Sequence, residues 1–208
     1  MSATTTAPEP AVAETPAAIP LERLYRISVD QYHEMARHGI LKPKDKVVLI
    51  RGYLVEKMRK NPPHVIAAAL TRVALEKVLP TGWFLNVQDP VALADSEPEP
   101  DISVVRGEPR LFFERVPTAS DAGMLVEISD TSLNVDRTTQ LQLYAEAKVP
   151  VYWIVNLMDR QVEVYTEPSG PAAVPSFAKQ VVFKETDTVP VVLDGVEVGR
   201  LPVRDLLP

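Results

Sequence analysis

Two acidic residues sit where acidic residues are expensive. Glu127 lies inside the apolar run LVEIS (125–129), and Asp101 follows Pro100 at the head of ISVV (102–105). A carboxylate within a buried strand needs a partner, either an arginine in a structural ion pair or something functional. If these two strands are neighbours in one sheet, the side chains come together as hard oxygen ligands. Mg²⁺ favours that donor set, one or two carboxylates completed by water and phosphate oxygens. A cation held this way orients water and neutralises charge growing on a phosphodiester. Upstream, Lys57, Arg59 and Lys60 precede a helix start at Asn61. Basic side chains beside a helix N-terminus form a phosphate cradle or, equally well, a solvated loop. His64 falls in the first turn of that helix, either facing a cleft or as an ordinary first-turn histidine. Glu97 and Glu99 stand near Asp101 and add possible oxygens, although loop glutamates before a proline are usually solvated.

Other chemistries are excluded by what is missing. The chain has no cysteine, which removes disulfides, thiolate catalysis and Cys-based zinc or iron–sulfur sites. Its eight glycines form neither a G-x-G-x-x-G nor a Walker loop. The three histidines, His33, His38 and His64, make no H-E-x-x-H, and no G-x-S-x-G elbow accompanies them. Lys plus Arg number 22 against 28 Asp plus Glu, a formal charge of −6, so any nucleic-acid contact must come from a local basic patch. No apolar run reaches the length of a membrane span and the N-terminus is not built like a signal peptide, so the sequence predicts a cytoplasmic protein.

The elements that must position these residues alternate between strand and helix. Ser28 with Gln31 forms a capping box and Gly39 a stop, which predicts a helix over 29–38. KVVLIRGYLVEKM (46–58) reads as a hairpin turning at Arg51-Gly52. Asn61 caps a helix with Pro62 at its first position, followed by HVIAAALTRVALEKVL (64–79). Strands are expected at 83–94, 102–105, 124–129, 151–156 and 161–166. Asp136 is expected to cap a helix over 138–148, and 181–203 to form a last hairpin turning at Asp194-Gly195. Tyr144, Tyr152 and Trp153 sit in apolar segments and read as core. The whole is an α/β arrangement, one mixed sheet with helices packed on it. Residues 1–20 hold Pro8, Pro10, Pro16 and Pro20 among small residues and are expected to be a disordered tail, with one domain over 21–208.

The strings SEPEPDISVV (96–105), LVEIS with Ser132 three residues on, DR (136–137), LYA (143–145) and VP-x-YWIV (149–155) together resemble the Uma-two family of putative restriction endonucleases, within the PD-(D/E)XK nuclease superfamily. RGYLVEKM (51–58), NPPH (61–64) and VVLDGVEVGRLPV-x-DLLP (191–208) extend the resemblance over most of the chain. It implies a restriction-endonuclease-like fold, a mixed central sheet flanked by helices with a C-terminal β-hairpin. It also implies Asp101 and Glu127 as ligands of Mg²⁺ or Mn²⁺, with His64 at a family motif position facing the cleft; a nucleic-acid substrate, DNA first, would then meet the basic cradle of Lys57, Arg59 and Lys60. Within the (D/E)XK half, Ser129 stands at the lysine position. The resemblance places the lysine instead on the following helix, four residues before Tyr144, where this chain has Gln140. Lys148 and Arg137 are the nearest replacements. The expected activity is therefore metal-dependent endonuclease chemistry, slowed at Gln140, in a homodimer. The alternative is an inactive nuclease fold that binds nucleic acid or a protein.

Overall fold

Most of the pattern survives in the computed structural model, which describes residue 20 and residues 23–208. The tail over 1–20 lies, but for Pro20, outside the described residues. Helix α1 (Val29–Arg37) carries the expected capping box between Ser28 and Gln31. Strands β1 (Val47–Ile50) and β2 (Tyr53–Glu56) form the hairpin. Its turn residues Arg51 and Gly52 have φ of 48° and 79°. Two positive angles in succession make the tight turn whose twist suits a hairpin, and a glycine takes the second at no steric cost. Helix α2 (Pro62–Glu76) begins where Asn61 Oδ1 accepts from the His64 N–H at 3.1 Å, with Pro62 in the first turn.

The central sheet has six strands in the order β3-β4-β5-β6-β7-β8. These are Trp83–Asn86, Ile102–Arg106, Ala122–Ser129, Val151–Asn156, Gln161–Pro168 and Phe177–Lys184. Only β5 and β6 run parallel; the rest are antiparallel. A parallel neighbour requires a crossover, and helical residues 133–146 provide it. Every residue of β5 is buried, as a strand covered on both faces must be. Its alternate residues feed two cores. Met124, Val126 and Ile128 pack with Ala67, Ala68 and Leu75 of α2 and with the closing hairpin. On the opposite face Leu125 packs with Tyr152, Ile154 and Tyr165 and with Leu143 and Tyr144 of the crossover helix. The closing hairpin joins β9 (Thr188–Leu193) to β10 (Val196–Pro202).

Three expectations need correction. The segment 83–94 is a strand only to Asn86; Gln88 takes a φ of 59° and its N–H donates to Asp101 O at 3.2 Å, which folds the chain back toward the acidic loop. Residues 177–184 belong to the central sheet rather than to the last hairpin, because Val162 and Val164 of β7 offer Phe183 and Val181 direct cross-strand partners. The crossover helix begins at α3 (Leu133–Val135), widens into a π turn over Asp136–Gln140 and continues as α4 (Leu141–Glu146). Asp136 is thus inside the helix and buried, not its cap.

Candidate active site at the end of the central sheet

Strand register brings the two acidic residues together. The pairing Ile102↔Val126 places Asp101, one step earlier, opposite Glu127, and directly opposed residues of an antiparallel pair share a face. The backbone then interlocks them. Ile128 N–H donates to Asp101 Oδ2 at 2.9 Å, and Asp101 N–H donates to Glu127 Oε2 at 3.3 Å. Both side chains are almost wholly buried.

Two basic side chains reach Asp101 from the start of α2. Lys60 Nζ donates to Oδ1 at 2.8 Å, and His64 Nε2 lies 2.9 Å from Oδ2. That end of α2 is fixed over β5 because Asn61 Nδ2 donates to Asp130 Oδ2 at 2.5 Å. The crossover helix supplies the other side. Tyr144 OH donates to Glu127 Oε1 at 2.7 Å, and Gln140 Nε2 stands 3.5 Å from the same oxygen. Asp136, next to both, accepts from Ser132 Oγ at 2.6 Å.

The electrostatics follow from crowding three carboxylates in little water. Burial would raise Asp101, but His64 and Lys60 outweigh it and hold that carboxyl below its ordinary value. Among the described residues Glu127 has no cationic partner. Burial first, then the charges of Asp101 and Asp136, push its carboxyl well above the usual range, against the opposing Tyr144 hydroxyl and Asp101 N–H. Burial likewise pushes Asp136 up to about 6, against the Ser132 hydrogen bond. Surplus negative charge in a buried place is what a divalent cation relieves.

Asp101, Glu127, Asp136, Gln140, His64 and Lys60 line a cavity of about 480 Å³. Its opposite wall is apolar, with Val48, Ile50, Val55 and Met58 from and beside the β1–β2 hairpin. The acidic loop holds that hairpin in place: Glu97 N–H donates to Leu49 O at 2.7 Å, and Gly52 N–H to Asp95 O at 2.8 Å.

Asp101, Glu127, Gln140, His64 and Lys60 therefore meet at one point, and Lys57 and Arg59 line the same cavity without touching the carboxylate pair. Lys57 donates instead to Glu99 at 2.5 Å. Glu97 is taken by His33, at 2.6 Å, so neither loop glutamate adds a ligand. The two lysine replacements are elsewhere. Arg137 binds Glu163, and the Lys148 stem lies against Gly170. Among the described residues, no group of three or more His, Asp and Glu side chains is arranged to hold a metal ion. A cation here would rest on Asp101 and Glu127 with water and phosphate oxygens, the arrangement Mg²⁺ favours. Asp136 and Tyr144 were missed as site residues. The available signal for Tyr144 was its place four residues beyond Gln140, on the same helix face.

A family model described as "Putative restriction endonuclease" matches residues 29–204 of the chain. No curated protein matches it. The fold is similar to a crystal structure described as a putative nuclease belonging to DUF820 from Anabaena variabilis, with a TM-score of 0.64 and 16% identity. That likeness covers 86% of this chain and 97% of the other.

Proposed function

Because the chain belongs to the Uma2 family, we propose that it is an endonuclease that hydrolyses nucleic-acid phosphodiesters with Mg²⁺ or Mn²⁺. The observation that carries this reading is the interlocked, buried pair of Asp101 and Glu127 opening on a cavity with Lys60 and His64 beside them. Asp101 and Glu127 are the residues that would hold the cation, which neutralises charge on the phosphate when bound. His64 fixes one Asp101 oxygen, and Tyr144 fixes one Glu127 oxygen. Gln140 can donate a hydrogen bond to water but brings no charge, and loss of one electrostatic donor at such a site typically lowers the rate on the order of 10²–10³-fold. Lys57 and Arg59 line the same cavity and would meet the backbone of the substrate, DNA first.

Titration calorimetry with Mg²⁺ and Mn²⁺, paired with cleavage of generic double-stranded DNA, tests the reading. Metal binding with metal-dependent cleavage is expected, and Asp101→Asn should remove both. DNA binding without metal binding or turnover would favour a nucleic-acid-binding module instead; both Asp101 oxygens already having basic side-chain partners is the feature on that side. Among the described residues no helix is long and apolar enough to cross a membrane, and we place the activity in the cytoplasm.

A homodimer also belongs to this proposal. Two-fold pairing is the usual way a small domain cuts both strands, and the central sheet leaves β3 and β8 as open edges. Light scattering should give a mass near twice 23.0 kDa. A constant monomer mass across a wide concentration range would overturn it.

A further inference from the structure

Hydrolysis of a phosphodiester adds a water oxygen to phosphorus as the bond to the leaving sugar oxygen breaks, and that oxygen takes up a proton. Negative charge builds on the phosphoryl oxygens throughout. The pocket that would hold it already contains three buried carboxylates, Asp101, Glu127 and Asp136. A fixed positive charge must therefore stand close by.

The basic side chains around the cavity differ in what they can offer. Lys57 is engaged by Glu99, and Arg59 makes no ion pair among the described residues and does not reach the carboxylates. His64 is spent on Asp101 Oδ2, deep in the site with its side chain 11% exposed. Among the described residues Lys60 alone of these basic groups both touches the pair and remains open to solvent, its side chain 34% exposed. It sits on the irregular segment 57–60, free of helix or strand, so its ammonium can shift without disturbing an element. One of its three donors is used on Asp101, which leaves two for phosphate oxygens.

We propose that Lys60 is the cationic residue of the reaction, resting on Asp101 Oδ1 in the free protein and contacting the scissile phosphate when substrate and cation are bound. This rests on the nuclease reading above. It assigns to the segment before α2, across the cleft, the charge that Gln140 does not carry on the crossover helix.

The roles predict opposite signs in two measurements. An ammonium on Asp101 competes with any cation that binds there. Lys60→Met should therefore bind Mn²⁺ more tightly, by about two- to fivefold, the factor for removing a part-exposed ion pair. Its cleavage of generic DNA should nevertheless fall on the order of 10²–10³-fold. Lys60→Arg should keep part of the activity, and adding Gln140→Lys to Lys60→Met should recover at least about tenfold of the loss. The melting temperature should stay near that of the native chain, since Asp101 keeps His64 and the Ile128 N–H. Native-like cleavage by Lys60→Met would overturn the proposal, as would Mn²⁺ affinity falling together with turnover. If the native protein neither binds Mn²⁺ nor cleaves, the nuclease reading itself fails and takes this one with it. Native cleavage with an indifferent Lys60→Met removes the Lys60 assignment alone.

Discussion

Glu127→Gln should abolish cleavage and make the protein more stable at the same time. Rate loss follows from removing one of the two carboxylates that would hold the cation, and should reach at least 10²–10³-fold, on the order seen for electrostatic groups at reacting centres. The gain in stability has a different cause. Burial and the charges of Asp101 and Asp136 raise the Glu127 carboxyl well above its ordinary value. The native state then holds a proton that the unfolded chain would release, so stability falls as pH rises from the ordinary carboxyl range through the raised value. Glutamine is neutral at every pH and its amide oxygen can still accept from Tyr144, giving up only the long 3.3 Å contact with Asp101 N–H. The expected gain at pH 8, without metal, is on the order of 1–2 kcal/mol. Thermal melts at pH 5 and pH 8 check it: the variant should melt several degrees higher at pH 8 and show a smaller advantage at pH 5. A variant less stable at pH 8 would show that Glu127 rests comfortably as an anion.

Glu163→Ala should be the most destabilising single change near the site. Glu163 is fully buried and accepts five hydrogen bonds. Arg137 donates twice, at 3.0 and 2.5 Å, and Asn156, Gln161 and Tyr165 donate at 2.9, 3.0 and 2.8 Å. Truncation leaves the buried Gln161 amide and Tyr165 hydroxyl without an acceptor, while the part-exposed Arg137 and the Asn156 amide keep Asp159; the loss should be about 3 kcal/mol and on the order of 10 °C in melting temperature for a chain of this length. Burial alone would raise this carboxyl, but Arg137 and the neutral donors hold it down at about 2. Its contribution is therefore present above the ordinary glutamate range and is lost as pH falls from about 4.5 toward 2. Native protein and Glu163→Ala should converge in stability at acid pH and diverge at neutral pH. Arg137 lies in the π turn between Asp136 and Gln140, so the same variant should loosen the site.

Much of this was legible in the chain because it depends on local chemistry. Asn61 with Pro62, Ser28 with Gln31 and the positive-φ turns at Arg51-Gly52 and Asp194-Gly195 are settled within a few residues. Glu127 stood out because a carboxylate in a continuous apolar run needs a reason. The π turn was not legible: it arises from how the crossover helix meets the sheet, with Arg137 pulled toward Glu163 and Tyr152 OH donating to Asp136 O at 3.1 Å. Asp136 was consequently read as a cap. Lys60 looked like one of three basic loop residues, since nothing in its neighbours told which would face Asp101. Tyr144 looked like core, and is; its hydroxyl finds Glu127 only because α4 packs on that face of β5.

The wide turn in the crossover helix works as a phase adjuster. Eight ordinary helical steps, at about 100° each, would leave Asp136 about 80° round the axis from Tyr144. One residue is absorbed in the wider turn, so the two behave as though seven apart and point within about 20° of each other, toward the same carboxylates. Chain length is therefore forgiving in one place and strict in the next. A relative shorter by one residue between 136 and 140 would close the turn into regular helix and keep both side chains aimed at the sheet. One shorter by a residue between 141 and 143 would swing Tyr144 about 100° round the axis and leave Glu127 without its hydroxyl partner.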